Sequence, residues 1–172
     1  MIDTDRLTLR RFALRDVSAF AHYRADPAVA LYQSWSGMTL QEAHDFIAEH
    51  AETPIGEHDR WFQLAIVDKA TDDLVGDIGI CIASPGTKAE IGFSVAPSAQ
   101  GRGYASEACR AAIDFIYRIT EVQQVEAVID ARNVSAIALA KRLGMELIGT
   151  ESAQFKGEVC SEHHFVCNRS AR

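Results

Sequence analysis

The chain has no long apolar run, no paired-cysteine motif and no surplus of positive charge, and each absence narrows what it does. A membrane-crossing helix needs roughly 20 consecutive apolar residues. Nothing in the sequence approaches that, so no membrane partner is expected. The opening MIDTDRLTLRR is polar from its third residue and lacks the apolar core of a signal peptide, so the expected location is cytoplasmic. The four cysteines, Cys81, Cys109, Cys160 and Cys167, show no C-x-x-C spacing, and three lie in apolar runs. They read as reduced thiols at or near the core. A Cys160–Cys167 bridge is disfavoured because both residues would sit on one strand. Lys and Arg number 17 against 24 Asp and Glu, giving a net charge of −7 and a pI near 5.3. That balance weighs against direct nucleic-acid binding, which favours a basic surface. It leaves room for a small basic patch around an anionic cofactor. Repeats, low-complexity tracts and linkers are also missing, so residues 1–172 are expected to form one domain.

What is present is 48% apolar residues, enough for a real core. Alternation predicts strands at RLTLRRF (6–12), WFQLAIVD (61–68), VGDIGICI (75–82) and AEIGFSV (89–95), the last three joined by tight turns as an antiparallel meander. A helix over 14–24 should stop near Asp26-Pro27. Residues 28–38 read as a loop carrying Trp35. Thr39 with Glu42 is a capping-box pattern opening a second helix. Small or apolar residues at 105, 108, 109, 112, 113 and 116 form one helical stripe, which makes Cys109 a packing residue. QVEAVID (124–130) reads as a strand and SAIALAKRL (135–143) as a helix ended by Gly144. MELIGT (145–150) and VCSEHHFVC (159–167) should be two closing strands. The fold class is α/β, with a mixed sheet.

The stretch VAPSAQGRGYASEA (95–108) joins a strand to a helix through two glycines. It is not a nucleoside-triphosphate loop, because no lysine follows either glycine. Gly101, Gly103 and Ser106 fill part of a dinucleotide fingerprint, and Asp130 ends the next strand where a ribose-binding acid belongs. A doubly wound sheet, however, needs more parallel strands than the chain supplies. Gln100-Gly-Arg-Gly-Tyr-Ala105 fits the pattern Gln/Arg-x-x-Gly-x-Gly/Ala of a coenzyme A pyrophosphate loop. The first N–H groups of the helix have no partners inside it, and they favour a diphosphate. An ordinary glycine-rich turn is the plain alternative.

Three segments in order resemble the GNAT acetyltransferase superfamily: DRLTLRRF (5–12), AEIGFSVAPSAQGRGYASEA (89–108) and NVSAIALAKRLGMELIGT (133–150). The likeness is to the branch that includes the ribosomal-protein N-terminal acetyltransferases RimJ and RimL, with Met145 where an aromatic residue is common. The resemblance implies a GNAT fold, a mostly antiparallel sheet with one splayed parallel pair and flanking helices. It implies acetyl-CoA as co-substrate and an amine acceptor, either a protein N-terminus or a small molecule. By position, Phe93, Ser94 and Val95 should offer backbone hydrogen bonds to pantetheine. Gln100, Gly101, Arg102, Gly103, Tyr104, Ala105 and Ser106 should hold the pyrophosphate, with Asn133 contacting the cofactor from the other side. Arg142 is a candidate for the nucleotide end of CoA, with a solvated basic side chain near a helix C-terminus as the plain alternative. Asn133 is equally well explained as a helix cap. A homodimer is compatible with the likeness.

Amine acetylation needs a proton acceptor and fixed donors for the oxyanion. Glu90 is the base candidate, since alternation puts it on the face of Gly92 and Ser94. The tyrosine that many relatives use as general acid is replaced by Ala140. The serine common in this branch is replaced by Ala136, leaving Ser135 one residue, about 100°, away. Tyr32, Trp35 and Glu42 are acceptor-site candidates. His163 and His164 face opposite sides of a strand, so no metal is assigned. Direct transfer is expected, because Cys109 faces the helix core. A catalytically silent CoA sensor is the alternative reading, and a dinucleotide oxidoreductase comes third.

Overall fold

The computed structural model describes residues 1–169. Eight strands form one sheet in the order β1-β2-β3-β4-β5-β6-β8-β7. They are β1 (Ile2–Asp3), β2 (Leu7–Arg10), β3 (Trp61–Asp68), β4 (Leu74–Ala83), β5 (Lys88–Val95), β6 (Gln124–Asp130), β7 (Glu146–Phe155) and β8 (Glu158–Asn168). Helices α1 (Val17–Arg24), α2 (Pro27–Ala30) and α3 (Leu40–Ala51) link β2 to β3, α4 (Tyr104–Ile119) follows β5, and α5 (Val134–Arg142) follows β6. The β5–β6 pair is parallel and the other strand pairs are antiparallel. This is the mixed, mostly antiparallel GNAT architecture, and a sheet with a single parallel pair is not a doubly wound dinucleotide fold.

The local reasons are visible in the residues. Leu7 and Leu9 are fully buried at alternate positions of β2, and Val125, Ala127 and Ile129 alternate likewise along β6. Ala108, Cys109, Ala112, Ile113 and Ile116 form the buried stripe of α4. Thr39 caps α3 by accepting from the Glu42 amide while Glu42 accepts from the Thr39 amide, both halves of the capping box.

Three parts differ from the sequence expectation. The loop over 28–38 begins with α2, because Asp26 caps the Ala28 amide and Pro27 stands in the first turn, where its missing N–H costs nothing. The helix expected from residue 14 starts as a short 3-10 turn, where the Asp16 carboxylate accepts from the Ala13 amide and pairs with Arg10. The closing strands reach further than their apolar cores, to 155 and from 158, around a hairpin turn at Lys156-Gly157 with φ of 49° and 83°. β8 lies between β6 and β7 in the sheet.

Candidate active site

β5 and β6 pair only over Lys88–Glu90 and Gln124–Glu126 and then diverge. The gap opens into a cavity of about 830 Å³ between β5, β6, α4 and α5. Backbone groups alternate along a strand. The Phe93 and Val95 carbonyls face the gap, where side-chain amides meet them: Gln33 Nε2 donates to Phe93 O at 3.2 Å and Gln100 Nε2 to Val95 O at 3.1 Å. Ser94 faces the other way. Its carbonyl oxygen lies 2.3 Å from where a Cβ on Gly76 would stand, so only glycine fits there. The expected backbone donors therefore reduce to Phe93 and Val95, because strand alternation commits the Ser94 backbone to the β4 side.

The glycine loop closes one end of the cavity. Gly101 and Gly103 have φ of +74° and +80°, a region other residues rarely enter, and nothing lies within 4 Å of a Cβ built on Gly101. The Glu107 amide makes the first helical bond of α4, to Gly103 O, so the amides of Tyr104, Ala105 and Ser106 remain free at the cavity wall. Beneath the loop, Arg6 donates to Arg102 O and pairs with Glu107, and the Tyr104 hydroxyl bonds Asp68. The Tyr104 ring is thus a support for the loop. The Arg102 side chain lies over that ring, 4.6 Å from its centroid and 3.8 Å from Asp68, and does not line the cavity. Across the gap, Asn133 accepts from the Ala136 amide at 3.1 Å, the capping role, at the cavity edge. Ser135 and Arg142 also line it.

Glu90 is half-buried at the closed end of the gap. Burial pushes its carboxyl above the ordinary glutamate range, Glu126 adds to the shift and His164 opposes it. The sheet surface beside it is bare at Gly92, where nothing lies within 4 Å of a built Cβ, while its register partner Gly79 is covered by the Gln63 and Trp61 side chains.

Of the acceptor candidates, Tyr32 lines the cavity and its hydroxyl donates to Arg132 O. Trp35 does not line it. The indole packs on the Arg24 guanidinium, 3.8 Å from ring centroid to carbon, and donates to Arg24 O. Arg24 in turn pairs with buried Asp77 at 2.6 Å. Glu42 does not line the cavity either, since its carboxylate is engaged by Thr39. Sequence reasoning missed Gln33, a lone glutamine in a polar loop with no local signal. It also missed Glu126, visible only once the parallel register is known.

His163 and His164 take different partners on opposite faces, Thr150 and Glu126. Cys109 is fully buried, and burial pushes its thiol up to about 12, which removes it as a nucleophile at neutral pH. All four cysteines are free thiols.

Comparison with known proteins decides the family. Residues 6–146 match the family model described as an acetyltransferase (GNAT) domain. The chain belongs to the GNAT acetyltransferase family. The N-acetyltransferase p20 of Bacillus licheniformis, described as uncharacterized, is 30% identical over 149 residues, covering 85% of this chain and 82% of that protein. Among solved structures, a GNAT-family acetyltransferase from Bacillus anthracis superposes with a TM-score of 0.86 at 21% identity, over 97% of each chain. The spermidine N-acetyltransferase of Vibrio cholerae, solved with CoA and spermine, gives 0.82 at 18% identity over 96% of each. The acetyltransferase described here is acetyl-CoA-dependent, as its family is. Its own cavity fits that co-substrate: free helix amides and an open glycine suit a diphosphate, and two gap-facing carbonyls suit an amide-bearing arm. Among the described residues no helix is long and apolar enough to cross a membrane.

Proposed function

We propose that this acetyltransferase modifies a primary amine carried by a cationic acceptor, by direct transfer in a ternary complex with Glu90 as the proton acceptor. The observation that carries the reading is Glu90 itself, a half-buried carboxylate two residues from the bare Gly92, where the cofactor gap begins. When bound, acetyl-CoA supplies an activated acetyl thioester. The free amides of Tyr104, Ala105 and Ser106, with Gly101 and Gly103, hold the diphosphate, and Phe93 and Val95 align the arm. A gap-facing amide of β5 stabilises the oxyanion. An α-amino group titrates at about 7.7–8.0 and lysine at about 10.4, so the acceptor arrives mostly protonated and must lose a proton to attack. Glu90 takes it, directly or through water. Ser135 lines the cavity one residue before Ala136 and is the side-chain acid candidate. Glu126 and Glu162 around Glu90 favour a cation. A protein N-terminus follows from the RimJ/RimL likeness, and a polyamine follows from the Vibrio cholerae neighbour. Self-association belongs to the same likeness, and the outer strand β7 exposes Leu147 and Ile148 for it.

The test is calorimetric titration with acetyl-CoA, CoA and NADH, then thiol release against N-terminal peptides, polyamines and other small amines. Acetyl-CoA should bind and NADH should not. Gly103→Glu puts a side chain at positive φ and a negative charge at the diphosphate, and should weaken binding on the order of 100-fold. The panel names the acceptor, and absence of thiol release with every amine overturns the reading.

A further inference from the structure

The closed end of the β5–β6 pair carries ionisable groups that the cofactor gap does not use. Parallel register sets Glu90 beside Glu126, on strands about 4.8 Å apart with register partners sharing a face. Glu126 meets His164 of β8, with Oε1 and Nδ1 2.5 Å apart. The other ring nitrogen of His164 lies 3.9 Å from Glu151 of β7, a side chain 78% exposed. Glu162 is two residues from His164 along β8, on the same face. On the β4 side the partner of Glu90 is Cys81, whose thiol is kept neutral by burial and by Glu90 itself. Glu90 therefore faces two carboxylates, one imidazole and one thiol. His164 faces Glu126, Glu151 and Glu162.

We propose that Glu126 and His164 act on Glu90 as one positioning pair, the imidazolium cancelling the negative charge that Glu126 sets beside it, so that Glu90 returns to a carboxylate after each turnover. This rests on Glu90 being the base. The proton count shows why the return matters. An acceptor entering as R–NH3+ carries three N–H protons. As the C–N bond forms and the C–S bond breaks, one proton stays on the amide and one ends on the CoA thiol. The third must leave through the base to solvent. A half-buried carboxylate next to an uncompensated Glu126 would hold that proton. Burial and Glu126 raise the Glu90 carboxyl while His164 lowers it, and Glu126 first, then Glu151 and Glu162, raise the His164 imidazole above its ordinary range. The two residues therefore push Glu90 in opposite directions, a signature that a merely structural pair does not have.

The experiment follows the acid limb of kcat/KM for the amine and, in ligand-free protein, the carboxyl 13C titration of Glu90. Activity needs the carboxylate, so it is lost as pH falls through the Glu90 midpoint. Glu126→Gln should move both midpoints down by about one pH unit and His164→Gln should move both up by a similar amount. His164→Lys keeps the positive charge and should restore the wild-type profile, with KM for acetyl-CoA unchanged throughout. Midpoints that move the same way in both variants, or not at all, overturn the pairing. Full activity of Glu90→Gln overturns the base reading instead, while the 13C titration still decides the pair.

Discussion

The two halves of β5 do opposite work. Lys88–Glu90 are tied to β6, and that end presents side chains: Glu90, Glu126, His164 and Glu162 from three adjacent strands. Beyond them β5 stands clear of β6 and presents backbone, the Phe93 and Val95 carbonyls met by Gln33 and Gln100. One strand thus separates proton handling at Glu90 from cofactor holding at Phe93 by three residues, roughly 10 Å. A site made from backbone needs only the right chain path, and glycine spacing betrays that path. A site made from side chains on neighbouring strands needs the sheet register, which no local spacing records.

The largest effect should come from breaking the tied half. Glu90→Gln should lower kcat about 100- to 1,000-fold with calorimetric affinity for acetyl-CoA unchanged. A fall in affinity without a fall in kcat would move Glu90 to the cofactor side of the comparison. The open half is redundant by design, so a single change there is milder. Gln33→Ala frees the Phe93 carbonyl and should tighten acetyl-CoA binding about fivefold, the worth of one neutral hydrogen bond. Weaker binding would show that the Gln33 amide itself holds the arm. The smallest effect on activity is expected at Glu42. Glu42→Ala removes half of the capping box and should cost about 1 kcal/mol of stability in urea unfolding. Both kcat and KM should stay as they are, and a raised acceptor KM would return Glu42 to the acceptor site.

Much of this was legible in the sequence where a pattern is local. Gly101 and Gly103 marked the loop that faces the cavity, Thr39 and Glu42 marked the start of α3, and the stripe around Cys109 marked the buried side of α4. Asp26-Pro27 was legible only in half. The pair stops one helix by restricting the residue before proline and starts another by capping, and the second role produced α2. Trp35 was misleading because an aromatic in a polar loop suggests an open pocket, whereas here it covers the Arg24–Asp77 pair. Gln33 and Glu126 left no mark and His164 stood out only as a rejected metal ligand, since each acquires its role from a partner 38 to 60 residues away.

The insertion of β8 between β6 and β7 has a consequence for how the chain is made. β6 is complete at Asp130, but the strand that covers its free edge begins only at Glu158. A nascent or prematurely ended chain that stops between them exposes Val125, Ala127 and Ile129 along an unpaired edge. Such an edge invites a second chain to add its own strand. Errors of synthesis in this 27-residue interval should therefore yield aggregates, whereas full-length chains stay clear of them.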